Sequence, residues 1–307
     1  MTEKIHDMIV IGGGPGGLVS ALYGARAKMD VLVIEEMSPG GQIINTQDVD
    51  NYPGFPEGIT GPELAQKLDQ QVKKFGGQIK TGSVKEMNFE GETKEVILQN
   101  NEKYYSKGIV IATGASPREL DIPGEKTFTG RGVSYCATCD GAFFQDKDVA
   151  VIGGGDSALE EALFLTRFAG KVYIVHRRDE FRGVKYLQDK VFADEKIEVI
   201  FDSIPKEVKG ETLVEGLLIE NKKTGEEKNL ECNGVFVYIG VDPNTEFLSG
   251  QLNLDENGYI ITDEEMRTNI DRVYAVGDVR KKQLRQVITA MADGAKAAFD
   301  LEKKLSL

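Results

Sequence analysis

The stretch "DMIVIGGGPGG", Asp7 to Gly17, constrains the fold more than any other, because the chain writes its pattern twice. In the first copy Asp7 to Ile11 is a short apolar strand, and Gly12, Gly14 and Gly17 follow it as G-x-G-x-x-G. A helix-like segment, "LVSALYGARAK", and a second apolar run, "VLVIEE", come next, and Glu35 stands at the end of that run. This order and spacing predict a strand-helix-strand unit that holds a dinucleotide. The first glycine allows a tight turn, the second lets the backbone approach a pyrophosphate, and the third lets helix and strand pack closely. The helix N-terminus faces the phosphates, and the acid accepts from a ribose hydroxyl. In the second copy "DVAVIGGGDSALEEA" supplies Gly153, Gly155 and Ala158 as G-x-G-x-x-A. The strand "KVYIV" then leads into His176, which is as far from Gly153 as Glu35 is from Gly12.

A second repeat supports the first. "GIVIATGASP", from Gly108, is echoed position by position in "GVFVYIGVDP", from Gly234. Each half therefore contains a strand-helix-strand unit and a later closing strand, which is the sequence signature of duplicated architecture. A further buried strand, "VYAVGDV" from Val273 to Val279, has no counterpart in the second repeat. The expected fold is α/β, with two Rossmann-like three-layer dinucleotide-binding domains, the second inserted into the first. The expected boundaries are 1–116 and 247–307 for the first domain and 117–246 for the second, with links near "SPREL" and "DPNTEF". A length of 307 residues suits two cores better than one.

The halves differ where nucleotide chemistry would differ. Glu35 suits a free ribose diol, whereas His176, Arg177, Arg178 and Arg182 suit a ribose that carries a 2′-phosphate. A solvated basic face is the alternative for "HRRDEFR", and its register at the end of a Rossmann strand decides against that. The second domain is thus assigned NADP(H). The first is assigned FAD rather than NAD, because Gly277 and Asp278 end a late apolar strand and put a carboxylate where flavin ribityl hydroxyls would lie. Asp156 sits inside the second glycine loop, where an acid beside a pyrophosphate is unfavourable; it is expected to point away or to be offset by the arginines.

A formal net charge of −13 argues against nucleic-acid partners. No apolar run is long enough to predict a membrane span, and the first residues do not read as a secretory signal. Three cysteines are too few for a disulfide framework, so a reducing cytoplasm is the expected setting. There the pair Cys136 and Cys139, in "SYCATCDGAFF", needs another explanation. Zinc would require two more ligands, and only Cys232, His6 and His176 are on offer, so no metal is expected. An inert buried pair remains open, but C-x-x-C spacing best suits a redox dithiol. Asp140 reads either as its proton partner or as a turn or helix-capping residue. Cys232 is expected to pack as a small hydrophobe.

Taken in order, "GGGPGG", "GGQIINTQDVDNYPGF", "ATGASPR", "CATCDG", "GGGDSALEEA", "HRRDEFR" and "GDVRKKQLRQVITA" resemble the low-molecular-weight, bacterial-type thioredoxin reductases along nearly the whole chain. The resemblance implies FAD in the discontinuous domain and NADPH in the inserted one, a homodimer, and thioredoxin as partner. It implies electron flow from NADPH to flavin to a Cys136–Cys139 disulfide and on to thioredoxin, with the domains rotating between steps. Glu35, Gly41, Gln42, Thr46, Asn51, Val84, Ala112, Gly277, Asp278, Arg285, Gln286 and Val287 would then contact FAD. Gly153, Gly155, Asp156, Ser157, His176, Arg177, Arg178 and Arg182 would contact NADPH. The alternatives are a related flavin disulfide reductase that uses ferredoxin, NADH or another thiol acceptor, and a non-catalytic nucleotide-binding redox sensor.

Overall fold

The structure is a computed structural model that describes residues 4–45, 49, 51–248 and 250–306, with every side chain among them save those of Asn45, Thr138 and Cys139. The chain divides into two compact units, Met1–Ser116 with Asp242–Leu307, and Pro117–Val241. The first opens with β1 (Ile5–Ile11), α1 (Pro15–Arg26), β2 (Val31–Glu35), α2 (Gly61–Lys74) and β3 (Gln78–Thr81). It continues through β4 (Val84–Asn88), β5 (Lys94–Leu98), β6 (Lys103–Ile111) and β7 (Ala115–Pro117). The second holds α3 (Glu125–Phe128), β8 (Val133–Ser134), α4 (Ala137–Asp140), β9 (Asp148–Gly153), α5 (Asp156–Leu165) and β10 (Lys171–Val175). It ends with α6 (Lys185–Ala193), β11 (Ile197–Ile200), β12 (Ser203–Gly210), β13 (Val214–Asn221), β14 (Glu227–Glu231) and β15 (Gly234–Tyr238). β16 (Val241–Pro243) leads back to the first unit, which closes with β17 (Val273–Ala275) and α7 (Val287–Ser306).

Each unit has three layers. In the first, β3, β2, β1, β6 and β17 run parallel, and β4 and β5 continue the sheet antiparallel from β6. Alternation along the strands explains the layering. Met8, Val10, Val31, Val33 and Val110 face the helical layer of α1, α2 and α7. Ile9, Ile11, Leu32, Ile34, Ile109 and Ile111 face the other side, with Met87, Val96 and Leu98 of the antiparallel strands. A strand buried on both faces needs an unbroken apolar run, which "MIVI" and "VLVI" supply, and each such side chain contributes about 1.5–3 kcal/mol.

The second unit repeats the plan. β11, β10, β9, β15 and β8 form a parallel sheet, and β12, β13 and β14 form the antiparallel layer. Val149, Val151 and Ile174 face α5 and α6, while Ala150, Ile152 and Val235 face Val208, Leu217 and Leu230. Where the first unit has one long strand, β6, the second has two, β14 and β15, separated by Cys232 and Asn233. Cys232 is 2% exposed in that core, and burial pushes its thiol up to about 12, so it packs as the small hydrophobe expected.

Two expectations need correction. The strand at Val273 does have a counterpart: β8 pairs with β15 as β17 pairs with β6, parallel and at the same edge. It escapes the repeat because it precedes its sheet partner in sequence instead of following it. The return crossing also comes earlier than residue 247, between Val241 and Asp242. Asn244 explains this: its Nδ2 donates to Thr113 O at 2.8 Å, its Oδ1 accepts from Ser116 Oγ at 2.7 Å, and its carbonyl accepts from Thr113 Oγ1 at 2.8 Å. The "DPNTEF" turn is thereby tied into the first unit.

Candidate functional site

In the first unit the glycine loop closes on the end of β6. Gly12 has φ +100, and a Cβ there would fall 2.4 Å from Ala112 O, while one on Gly17 would fall 2.0 Å from Gly12 O. Gly14 caps α1 without a side-chain hydrogen bond, in contrast to α2, where Thr60 and Glu63 form a capping box. The first-turn N–H groups of α1 are thus left for an anion. Glu35 holds the loop from the side: Oε2 accepts from Gly13 N at 2.6 Å and Oε1 from Met37 N at 3.0 Å. Gly40 N donates to Gly13 O at 2.7 Å, and Gly41, at φ +58, approaches Gly14.

α7 brings the late residues to this loop. A Cβ on Gly294 would fall 2.2 Å from Gly16 O, and one on Gly16 would fall 3.1 Å from Ala290 O and 3.5 Å from Gly277 N. The start of α7, at Val287, and the Gly277–Val279 turn therefore sit beside the start of α1. Asp293, 7% exposed, holds that turn by accepting from Gly277 N (3.1 Å), Arg280 Nη1 (3.2 Å) and Lys282 Nζ (2.8 Å). Asp278 Oδ1 is buried without a hydrogen-bond partner among the described residues, and so is Arg285 Nε. Burial raises the Asp278 pKa, against the pull of Lys282 and Arg285. The Arg285 guanidinium also lies over the Tyr259 ring, 4.0 Å from its centroid. Asn51 Nδ2 meets Gln286 Oε1 at 2.9 Å, Gln42 Nε2 reaches Ala115 O at 3.5 Å, and Val84 packs half-buried at the start of β4. Thr46 lies outside the described residues.

The second unit builds a parallel arrangement from different side chains. A Cβ on Gly153 would fall 2.4 Å from Tyr238 O, and one on Gly154 would fall 2.4 Å from the His176 ring. Gly155 caps α5 without a side-chain bond, and nothing lies within 4 Å of a Cβ placed on it. Asp156 is turned aside, because its Oδ1 accepts from Val184 N at 2.7 Å. Arg182 N and Gly183 N donate to Gly154 O at 2.8 and 3.1 Å, which docks the arginine loop on the glycine loop. Ser157, Arg177, Arg178 and Arg182 are exposed, and no ion pair engages these arginines among the described residues.

His176 departs from its expected part as a surface cation. It is 4% exposed against Gly154, Phe181 and Phe201, and burial lowers its pKa. A ring at the end of β10 is covered by the loop that follows, a placement that sequence spacing does not reveal.

β8 delivers the cysteine pair. Cys136 is disulfide-bonded, half-buried, and fixed by Ser134, whose Oγ accepts from Cys136 N at 3.0 Å and donates to Cys136 O at 3.2 Å. The Cys139 side chain lies outside the described residues. Asp140 N donates to Cys136 O at 3.2 Å, and the Asp140 carboxylate makes no capping bond to the turn that follows. Asp140 instead lines an open cleft of about 530 Å³ with Arg131, Ser134, Phe143 and Lys147, and Phe143 is 73% exposed. Two neighbours went unnoticed in the sequence. Tyr238 Oη accepts from Ala137 N at 2.7 Å, and burial, then Glu161 on α5, raises the Tyr238 pKa. Burial, then Glu160, pushes Glu161 up to about 7. The repeat that begins at Gly108 and Gly234 sets Tyr238 opposite Ala112 and was the available signal.

A glycine loop, an exposed arginine cluster and a disulfide thus share one unit. The family described as pyridine nucleotide-disulphide oxidoreductase matches residues 6–294. The chain belongs to that family. It is 48% identical over 307 residues to a thioredoxin reductase of Peptoclostridium litorale, covering 98% of this chain and 97% of that one. It is 45% identical over 301 residues to a thioredoxin reductase of Bacillus subtilis (strain 168), covering 98% and 95%. The solved thioredoxin reductase of Lactococcus lactis superposes with a TM-score of 0.95 at 46% identity, covering 98% of this chain and all of that one. The family joins a pyridine nucleotide to a disulphide, and here the Gly153 loop follows β9 and Cys136 follows β8, with only β15 between those two strands. Among the described residues no helix is long and apolar enough to cross a membrane, and no cluster of three or more His, Cys, Asp or Glu gathers as a metal site.

Proposed function

We propose that this protein is an NADPH-dependent thioredoxin-disulfide reductase, working as a cytoplasmic homodimer with FAD as resident cofactor. The observation that carries this reading is the arginine cluster, unpaired among the described residues and docked on the Gly154 carbonyl, in the unit that also holds the Cys136 disulfide. Family and relatives supply the reaction class.

The first unit fits FAD. Asp278 Oδ1, without a partner among the described residues, would accept from a ribityl hydroxyl, and Arg285 Nε, likewise without one among them, would donate. Glu35, freed from Gly13 N, would take a ribose diol, and the α1 N-terminus would take the pyrophosphate. Gly41, Gln42, Thr46, Asn51, Val84, Ala112, Gly277, Gln286 and Val287 complete the proposed surround. When bound, FAD supplies the two-electron relay between nicotinamide and disulfide.

In the second unit Gly153, Gly155 and Ser157 would bind the NADPH pyrophosphate, and Arg177, Arg178 and Arg182 would bind its 2′-phosphate by charge-assisted hydrogen bonds. Asp156 holds the arginine loop in place, and the buried His176 ring, its pKa lowered by that burial, supports the loop from beneath. At the cysteine pair two electrons break the S–S bond, and Asp140 delivers the proton that one of the sulfurs takes up. Thiol-disulfide exchange then passes the electrons to thioredoxin: a new mixed disulfide forms, the thioredoxin S–S bond breaks, and the second cysteine releases the reduced partner. The balance is NADPH, one proton and oxidised thioredoxin giving NADP and the dithiol.

Purified yellow protein, mixed with thioredoxin and a chromogenic disulfide, tests this with NADPH, NADH or reduced ferredoxin as donor. NADPH should support turnover best. If NADPH leaves the flavin oxidised, or if Cys136→Ser and Cys139→Ser still reduce thioredoxin, the reading is wrong.

A further inference from the structure

Tyr238 closes β15 at the position that the Gly108 and Gly234 repeat matches to Ala112. The two residues use their backbones alike: each carbonyl oxygen lies 2.4 Å from where a Cβ on the facing loop glycine would sit, Gly153 for Tyr238 and Gly12 for Ala112. Their side chains differ. Where Ala112 ends in a methyl group, Tyr238 extends a phenol whose Oη takes the Ala137 N–H at 2.7 Å. Ala137 follows Cys136 directly and opens α4. The phenol is anchored by the sheet rather than by a loop, because its own residue is locked between Gly153 and the β9–β15 ladder. The charged groups acting on it are Glu161 from α5 and Asp140 from the end of α4, with Glu160 acting in turn on Glu161. All are acidic.

We propose that Tyr238 is a positioning residue of the dithiol, occupying the Ala137 amide and so withholding a backbone donor from the reduced Cys136 sulfur. The proposal rests on the disulfide-reductase reading above. Backbone N–H groups at the start of a helical turn stabilise a thiolate and lower its pKa. An amide already given to a neutral phenol does not do so. Tyr238 therefore keeps the Cys136 thiol less acidic, its thiolate more nucleophilic and the disulfide less oxidising, all of which favour passing electrons outward.

The test is the pH dependence of Cys136 alkylation. FAD-loaded protein is reduced with dithiothreitol, treated with iodoacetamide between about pH 5 and 10, and Cys136 modification is read by peptide mass. Tyr238→Phe keeps the ring and frees the amide, so the alkylation midpoint should fall by about half to one pH unit. Ala137→Pro removes the N–H at the first helical position, where proline is tolerated. In that background Tyr238→Phe should produce no further shift. A midpoint that stays put or rises in Tyr238→Phe overturns the proposal, as does an equal fall in the Ala137→Pro background. Failure of NADPH to reduce the wild-type flavin would instead overturn the parent reading and leave this alkylation result standing on its own.

Discussion

The His176 ring lies against Gly154 so closely that a Cβ on the glycine would fall 2.4 Å from both Cε1 and Nδ1. In the first unit the equivalent pair is Gly13 and Glu35, joined by a 2.6 Å hydrogen bond. In both units the middle glycine of the loop rests on the residue that ends the second strand. Gly154→Ala should therefore push the ring outward at a cost of about 1–3 kcal/mol. NADPH titration should show affinity weakened about tenfold or more, while FAD content stays at the wild-type level.

Arg177, Arg178 and Arg182 are exposed and engage no carboxylate among the described residues, so their charge is available to a ligand. Replacing any one with Gln should raise the KM for NADPH about tenfold, since a charge-assisted hydrogen bond contributes about 1.5–3 kcal/mol. The KM for NADH should change little. Steady-state kinetics with both donors measures the ratio, and equal losses with both would count against 2′-phosphate recognition.

Burial raises the Asp278 pKa, and Oδ1 has no partner among the described residues. A carboxyl whose folded pKa is raised contributes stability below its unfolded value, about 3.9, and loses it as pH rises through the folded value. In FAD-free protein Asp278→Asn should therefore melt at or above the wild-type temperature at pH 7, and show no such advantage near pH 3. The same change should weaken FAD binding, read as flavin fluorescence released on dilution.

Glu161 follows the same sign with a higher midpoint, since its pKa is pushed up to about 7. Its penalty is absent below about pH 4.3 and complete above about pH 7. Glu161→Gln should stabilise the protein at pH 8 by up to about 3 kcal/mol and leave it nearly unchanged at pH 4.5. Denaturant melts at the two pH values check the difference.

Much of this protein is settled locally. The glycine spacing, the apolar runs of β1, β2, β9 and β10, and the C-x-x-C pair each act within a short stretch of chain, so the sequence by itself determined two strand-helix-strand loops and a close cysteine pair. Glu35 ends β2 and the three arginines lie in the segment between β10 and α6, positions that strand length and spacing set.

The tertiary structure decided what depends on contacts across the chain. β8 finds its place as the counterpart of β17 only through pairing with β15, a strand far along the sequence. The return at Asp242 follows from Asn244 bonding to Thr113 and Ser116, 131 and 128 residues away. Burial against Phe181 and Phe201 lowers the His176 pKa, and the turn that carries Asp278 is held by an acid on α7 through the Gly277 amide. Tyr238 reaches the Ala137 amide across a sheet. Residue type and spacing specify which groups a segment can offer; burial and the partner across the fold decide which of them stay charged, satisfied or free.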